Sequence, residues 1–171
     1  IGRLTLNRAR GFGFQLMACD PYVSETDFPA DVRRRTLEEL LAESAILSLH
    51  VPLTPETRHL LNAARLALMK PTSILINTAR GTLVDETALN VALRERRLAA
   101  AALDVFEQAP PRGSAIPEPD NANFSPQVGG CSQRGTELSI RNAVHSVYTV
   151  LHWKRATRCG EPGRVSEEGT R

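Results

Sequence analysis

The sequence predicts an α/β protein built on a doubly wound parallel sheet, and two observations carry that expectation. Short apolar runs alternate with amphipathic stretches of helical length, the pattern left by repeated βαβ units. The runs are apolar at nearly every position rather than at alternate ones, which predicts strands covered by helices on both faces. With 171 residues and 42% hydrophobic content, the chain has room for one domain with a sizeable core and not for a second of comparable size.

Strands are expected at residues 14–19, 45–51, 73–78 and 100–106, with a short one near Phe124. Between them the helix starts are marked by side chains that can satisfy free backbone N–H groups. Thr36 and Glu39 have the spacing of a capping box. Asn62 and Asp85 are placed to cap the helical stretches that end near residues 70 and 97. A last helix over residues 132–153 sets Ile140, Ala143, Val144, Val147, Tyr148 and Leu151 on one stripe, so it is expected to pack along that side. The domain is therefore expected to span residues 1–153, and residues 154–171, with little to bury, to be a disordered tail. The chain opens on Ile1-Gly2 without an initiator Met, as a domain truncated at its first strand would.

Composition narrows the partners. Lys154, Arg155, Arg158, Arg164 and Arg171 against Glu161, Glu167 and Glu168 account for the whole net charge of +2, so residues 1–153 balance. A balanced domain does not suit the clustered cationic surface that nucleic acid requires, and the Arg33-Arg34-Arg35 run is expected to be a solvated stretch before a helix. No apolar run is long enough for a membrane span, and no basic-then-apolar leader is present. Cys19, Cys131 and Cys159 lack the spacing of a disulfide framework or a zinc site, which points to no metal and to a reducing, cytoplasmic setting.

In a doubly wound sheet, ligands bind where strands end at their carboxyl edge. Ile1-Gly2, an amphipathic segment and a strand ending in Asp20 together match the tail of a dinucleotide-binding turn, with the acid placed for ribose hydroxyls. Asp20 equally suits a turn before Pro21; as a ligand it would favour NAD, because a carboxylate repels a 2′-phosphate. After the next strand, Pro52 stiffens a loop where a nicotinamide ribose would lie, or simply a rigid turn. Arg80, following Thr78-Ala79 at a strand end, is a substrate-carboxylate anchor or half of an ion pair. Asp104 accepts from a nicotinamide carboxamide or pairs with a neighbouring cation.

Together the segments RARGFGFQLMACDPY, LEELLAES, LHVPLTPETRHLLN, LALMKP, ILINTARGTLVDETAL and AAALDVFE resemble, in order and spacing, the NAD-binding domain of the D-isomer-specific 2-hydroxyacid dehydrogenases. The resemblance implies a Rossmann-like fold, NAD as cofactor, a small 2-hydroxy or 2-oxo acid as substrate and pairing into a homodimer. It implies Ile1 and Gly2 beside the pyrophosphate, Asp20 on the adenosine ribose and Val51 with Pro52 against the central part of the cofactor. Thr78 and Ala79 would then touch the nicotinamide side, with Asp104, Gln127, Gly129 and Gly130 also along the cofactor. Arg80 would hold the substrate's carboxylate and carbonyl.

In the family, hydride passes between nicotinamide C4 and substrate C2 while a histidine, its pKa raised by a glutamate, moves the proton. Here the glutamate position is Ala109 and the histidine position is Gln127. An amide does not shuttle protons near neutral pH, and loss of a general acid lowers rates by about 10²- to 10⁴-fold. His50, His59, His145 and His152 do not match the vacated strand-end position. The expectation is an oxidoreductase domain of doubtful activity, or alternatively a non-catalytic NAD(H) sensor or scaffold.

Overall fold

The computed structural model describes residues 1–108 and 120–152. The chain forms two compact units, residues 1–127 and 128–171. The first runs through α1 (Gly2–Ala9), β1 (Met17–Ala18), β2 (Arg33–Arg34), α2 (Leu37–Glu43), β3 (Ile46–Leu49), α3 (Ala63–Leu66), β4 (Ile74–Asn77), α4 (Glu86–Arg94), β5 (Ala100–Leu103) and β6 (Ala122–Phe124). The second contains α5 (Gln133–Leu151).

β3, β4, β5 and β6 pair side by side in that order, all parallel, so their carboxyl ends share one edge. β1 and β2 form a separate parallel pair. The arginine run is exposed and precedes a helix, as the sequence predicts, but its pairing as β2 was not expected. Backbone pairing does not need apolar side chains, and both β2 residues are exposed; Arg35 turns instead to Glu43 at 2.9 Å. The strand expected over residues 14–19 is likewise only Met17–Ala18.

Local side-chain chemistry sets the helix starts as expected. Thr36 accepts from the Glu39 N–H while Glu39 accepts from the Thr36 N–H, a complete capping box. Asn62, Asp85 and Ser132 each accept from the N–H three residues on. α3 lasts a single turn, after which the Leu68 and Met69 N–H groups donate to the carbonyls three residues back, at 3.1 and 3.2 Å. α4 closes with Arg96 in the left-handed region (φ 55°), which lets the Arg97 N–H reach the Ala92 carbonyl at 2.8 Å.

The core lies on one face of the sheet. Leu41 of α2, Leu66 of α3 and Leu89 and Leu93 of α4 pack with Leu47, Leu49, Leu75, Ala101 and Leu103. This core is the packing that the first unit supplies by itself. Burial alternates along β3, β4 and β5, and the second row (Ile46, Ile74, Ile76, Ala100, Ala102) remains partly open, Ile46 at 46% exposure. Apolar runs specify strands suited to double coverage; the described helices α2, α3 and α4 supply their buried leucines to one row. The stripe expected to pack α5 also differs: Ile140, Val144, Val147, Tyr148 and Leu151 are exposed, and the buried residue of the helix is Thr149. An amphipathic period identifies a helix, but not which of its faces is covered.

Candidate functional site

Four strand ends converge on one edge because the strands are parallel. After β3, His50 accepts or donates through Nε2 to the Ser48 hydroxyl at 3.0 Å, and burial pushes its pKa down. Gly2 packs beside it, the position of its absent Cβ lying 3.4 Å from His50 Cβ, which brings the start of α1 to the end of β3. Ile1 is exposed. Val51 is half-buried, and the exposed Pro52 is held by the Thr57 hydroxyl, which donates to its carbonyl at 2.8 Å. The Thr54 N–H donates in turn to Thr57 Oγ1 at 2.7 Å.

After β4, the buried Asn77 shapes the Thr78-Ala79-Arg80 turn. Its Nδ2 donates to the Arg80 carbonyl at 2.9 Å, and its Oδ1 accepts from the Ala79 N–H at 3.0 Å. Its own carbonyl accepts from the Asp104 N–H at 3.0 Å, tying this turn to the end of β5. Sequence reasoning missed Asn77; as the last residue of a strand it reads as part of the apolar run rather than as the brace of a loop.

Arg80 lies exposed beyond its strand rather than buried in the sheet. Nη1 donates to the Ala79 carbonyl at 2.6 Å, and among the described residues its guanidinium makes no ion pair. Directly after it, Gly81 meets the backbone of Phe106 and Glu107 so closely that a Cβ would lie 1.9 Å from the Phe106 carbonyl carbon.

After β5, Asp104 is nearly buried at 8% exposure, and the Ser125 hydroxyl donates to its Oδ1 at 2.6 Å. The sequence left a cofactor amide or a cation as its partner, and the structure adds a hydroxyl from the end of β6. After β6, the exposed Gln127 takes φ 56° and its N–H donates to the Ser125 carbonyl at 2.9 Å. Gly129 and Gly130 belong to the second unit, where they are exposed and precede the Ser132 cap. Ala109 lies outside the described residues.

Asp20 follows β1 of the two-stranded pair and lines a cleft of about 430 Å³ together with Arg34, Arg35, Thr36 and Glu39. It is exposed, and its Oδ1 accepts from the Tyr22 N–H at 3.0 Å, so it shapes its own turn while facing the cleft.

The sequence also gave no sign of a carboxylate pair beside Gly81. Glu86 Oε1 accepts from the Glu107 N–H at 2.6 Å, and Glu107 Oε1 lies 2.9 Å from His59 Nε2. Burial pushes the Glu86 carboxyl up, the N–H donated by Glu107 pulls it back, and the Glu107 charge pushes it up again, for a net rise. The native state therefore holds this proton more tightly than the unfolded chain does. The stability it contributes is full below the group's ordinary titration, at about pH 4, and is lost as pH rises through the raised value. Glu86→Gln keeps an oxygen acceptor and removes the ionisation. Relative to wild type it is expected to gain stability between about pH 4 and pH 7, read from urea midpoints. A wild-type-to-variant difference that does not change with pH would show that the carboxyl titrates as in the unfolded chain.

Among the described residues no group of three or more His, Cys, Asp or Glu could hold a metal, and no helix is long and apolar enough to cross a membrane.

A parallel sheet with helices beside it and loops gathered at its carboxyl edge defines a Rossmann-like α/β domain of the dinucleotide-binding class. The chain belongs to the D-isomer specific 2-hydroxyacid dehydrogenase family: residues 1–129 match that family's NAD binding domain. It is 35% identical over 175 residues to D-3-phosphoglycerate dehydrogenase of Methanocaldococcus jannaschii, covering 98% of this chain and 32% of that protein. It is 42% identical over 154 residues to a glyoxylate reductase of Thermococcus onnurineus, covering 84% of this chain and 45% of the relative. Among solved structures, D-lactate dehydrogenase from Aquifex aeolicus complexed with NAD and lactic acid superposes with a TM-score of 0.77 at 31% identity, covering 85% of this chain and 49% of that one. The chain thus spans half or less of the length of these proteins.

Proposed function

We propose that this chain is the NAD-holding half of an oxidoreductase that moves hydride between NAD(H) and a 2-hydroxy or 2-oxo acid, with proton transfer impaired. The observation that carries the reading is Arg80, an exposed guanidinium at the carboxyl edge of the sheet with no ion-pair partner among the described residues. Such a group fits a substrate carboxylate through two parallel hydrogen bonds. The residues also fit the cofactor: Asp20 faces a cleft of about 430 Å³, and Asp104 holds a nearly buried carboxylate at the sheet edge.

In this reading Asp20 holds the adenosine ribose, and Ile1 and Gly2 lie beside the pyrophosphate. Val51 and Pro52 lie against the central part of the cofactor, Thr78, Ala79 and Asp104 hold the nicotinamide end, and Gln127 lies along the cofactor. When bound, NAD supplies the hydride donor or acceptor. Arg80 orients the acid. Gln127 offers both a donor and an acceptor but no titratable proton, so the substrate oxygen is bound without a general acid. The same residue favours a second reading, a non-catalytic NAD(H) sensor or scaffold. A reducing cytoplasm as the setting and a homodimer complete the proposal.

Titrating NADH while following the fluorescence of the sole tryptophan, Trp153, or the heat of binding, tests both readings. Saturable binding with a Kd below about 1 mM is expected. With glyoxylate or hydroxypyruvate, turnover is expected at a rate about 10²- to 10⁴-fold below that of an enzyme with an intact proton relay. Absence of binding at millimolar NADH would sink both readings. Binding with turnover indistinguishable from buffer would leave the sensor.

A further inference from the structure

The geometry points to Glu86, Glu107 and His59 as a clamp that sets Arg80 from behind, holding the turn after β4 against the end of β5 so that the guanidinium faces a bound carboxylate. The proposal rests on the reading of Arg80 as the carboxylate anchor. Three segments distant in sequence meet here: residues 59–61, 81–86 and 104–107. The His59 N–H donates to the Thr82 carbonyl at 2.8 Å and the Leu61 N–H to the Leu83 carbonyl at 3.0 Å, in a short parallel bridge of Leu61 with Val84. This pins the stretch that follows Arg80 from one side.

From the other side, Gly81 touches the Phe106–Glu107 backbone. The two glutamates then lock that contact reciprocally. Glu86 Oε1 accepts from the Glu107 N–H at 2.6 Å, and Glu107 Oε1 faces the Glu86 N–H, the first of α4, at 3.5 Å. His59 closes the group. A carboxylate only accepts, so Nε2 carries the hydrogen it gives to Glu107 Oε1 at 2.9 Å. Its backbone is held at φ 48°, in the left-handed region where a non-glycine residue needs support from its surroundings.

This arrangement exceeds what α4 needs for a start, since Asp85 already caps that helix by accepting from the Ala88 N–H at 2.9 Å. What Glu86 and Glu107 add is a link between the two loops on either side of Gly81. Arg80 is the residue next to that link, and no described carboxylate holds its guanidinium. Its orientation is therefore governed by the backbone on which it is carried.

The test uses the whole 171-residue chain, with oxamate as a 2-oxo acid mimic added to the NADH-loaded protein. In wild type the Glu107 amide hydrogen is expected to exchange slowly. Glu86→Ala is expected to speed that exchange and to weaken oxamate binding, each by about tenfold, with NADH affinity changed less than about twofold. Glu86→Gln, which keeps the acceptor, should recover both. A merely structural loss would weaken NADH and oxamate alike and would not be rescued in this pattern.

Glu107→Ala provides the same oxamate measurement if Glu86→Ala does not fold. Unchanged oxamate affinity in the folded variant, or a Glu107 amide that is already unprotected in wild type, would overturn the clamp. A wild-type chain that binds neither NADH nor oxamate overturns the functional reading instead. The exchange of the Glu107 amide in wild type and Glu86→Ala then decides whether the clamp exists.

Discussion

Gly81→Ala is expected to lower the unfolding free energy by about 3 kcal/mol or more, at the severe end of overpacking effects. The added Cβ would stand 1.9 Å from the Phe106 carbonyl carbon, 2.1 Å from its oxygen and 2.5 Å from the Glu107 nitrogen. All three atoms are backbone, so no side chain can rotate away. Relief would require the turn after β4 to separate from the end of β5, and the Asn77 and Glu86 hydrogen bonds bridge those same segments. Gly11→Ala is the control: nothing lies within 4 Å of its Cβ position, and a change within about 0.5 kcal/mol is expected there. Urea unfolding of the two variants compares them. A loss at Gly81 as small as at Gly11 would mean that the two turns do not pack backbone to backbone.

The second large effect is on ligand binding. Arg80→Ala is expected to reduce the affinity of the NADH-loaded chain for oxamate by about 100-fold, the loss of two charge-assisted hydrogen bonds at about 1.5 kcal/mol each. Arg80→Lys keeps the charge but not the planar fork, so it should recover only part of that affinity. Stability should change little, because the side chain is exposed and its hydrogen bond runs to the neighbouring Ala79 carbonyl. Equal oxamate affinity in wild type and Arg80→Ala would remove Arg80 from the substrate side altogether.

How far the sequence could be read depended on how local each signal is. Caps act over three residues, and Thr36, Asn62 and Asp85 all behave as their spacing suggests. The parallel strands were legible because apolar runs separated by helical stretches leave few other arrangements. The strand-end residues followed from that topology, since parallel strands put Pro52, Arg80 and Asp104 on one edge.

Signals that depend on partners distant in sequence were not legible. Arg33 and Arg34 pair as a strand through backbone alone, which no side-chain period records. Glu86, Glu107 and His59 lie on different elements, and each taken singly reads as an ordinary polar surface residue. The open row of the sheet and the exposed stripe of α5 depend on what covers them, and periodicity identifies an apolar face without naming its cover.

Asn77 gives the edge of this sheet its form without any chemistry of its own. It is 1% exposed, it cannot titrate in the physiological range, and it holds the Ala79 N–H, the Arg80 carbonyl and the Asp104 N–H in place. None of those bonds involves Gln127, so the form of this edge rests on a residue that the proposed chemistry does not use.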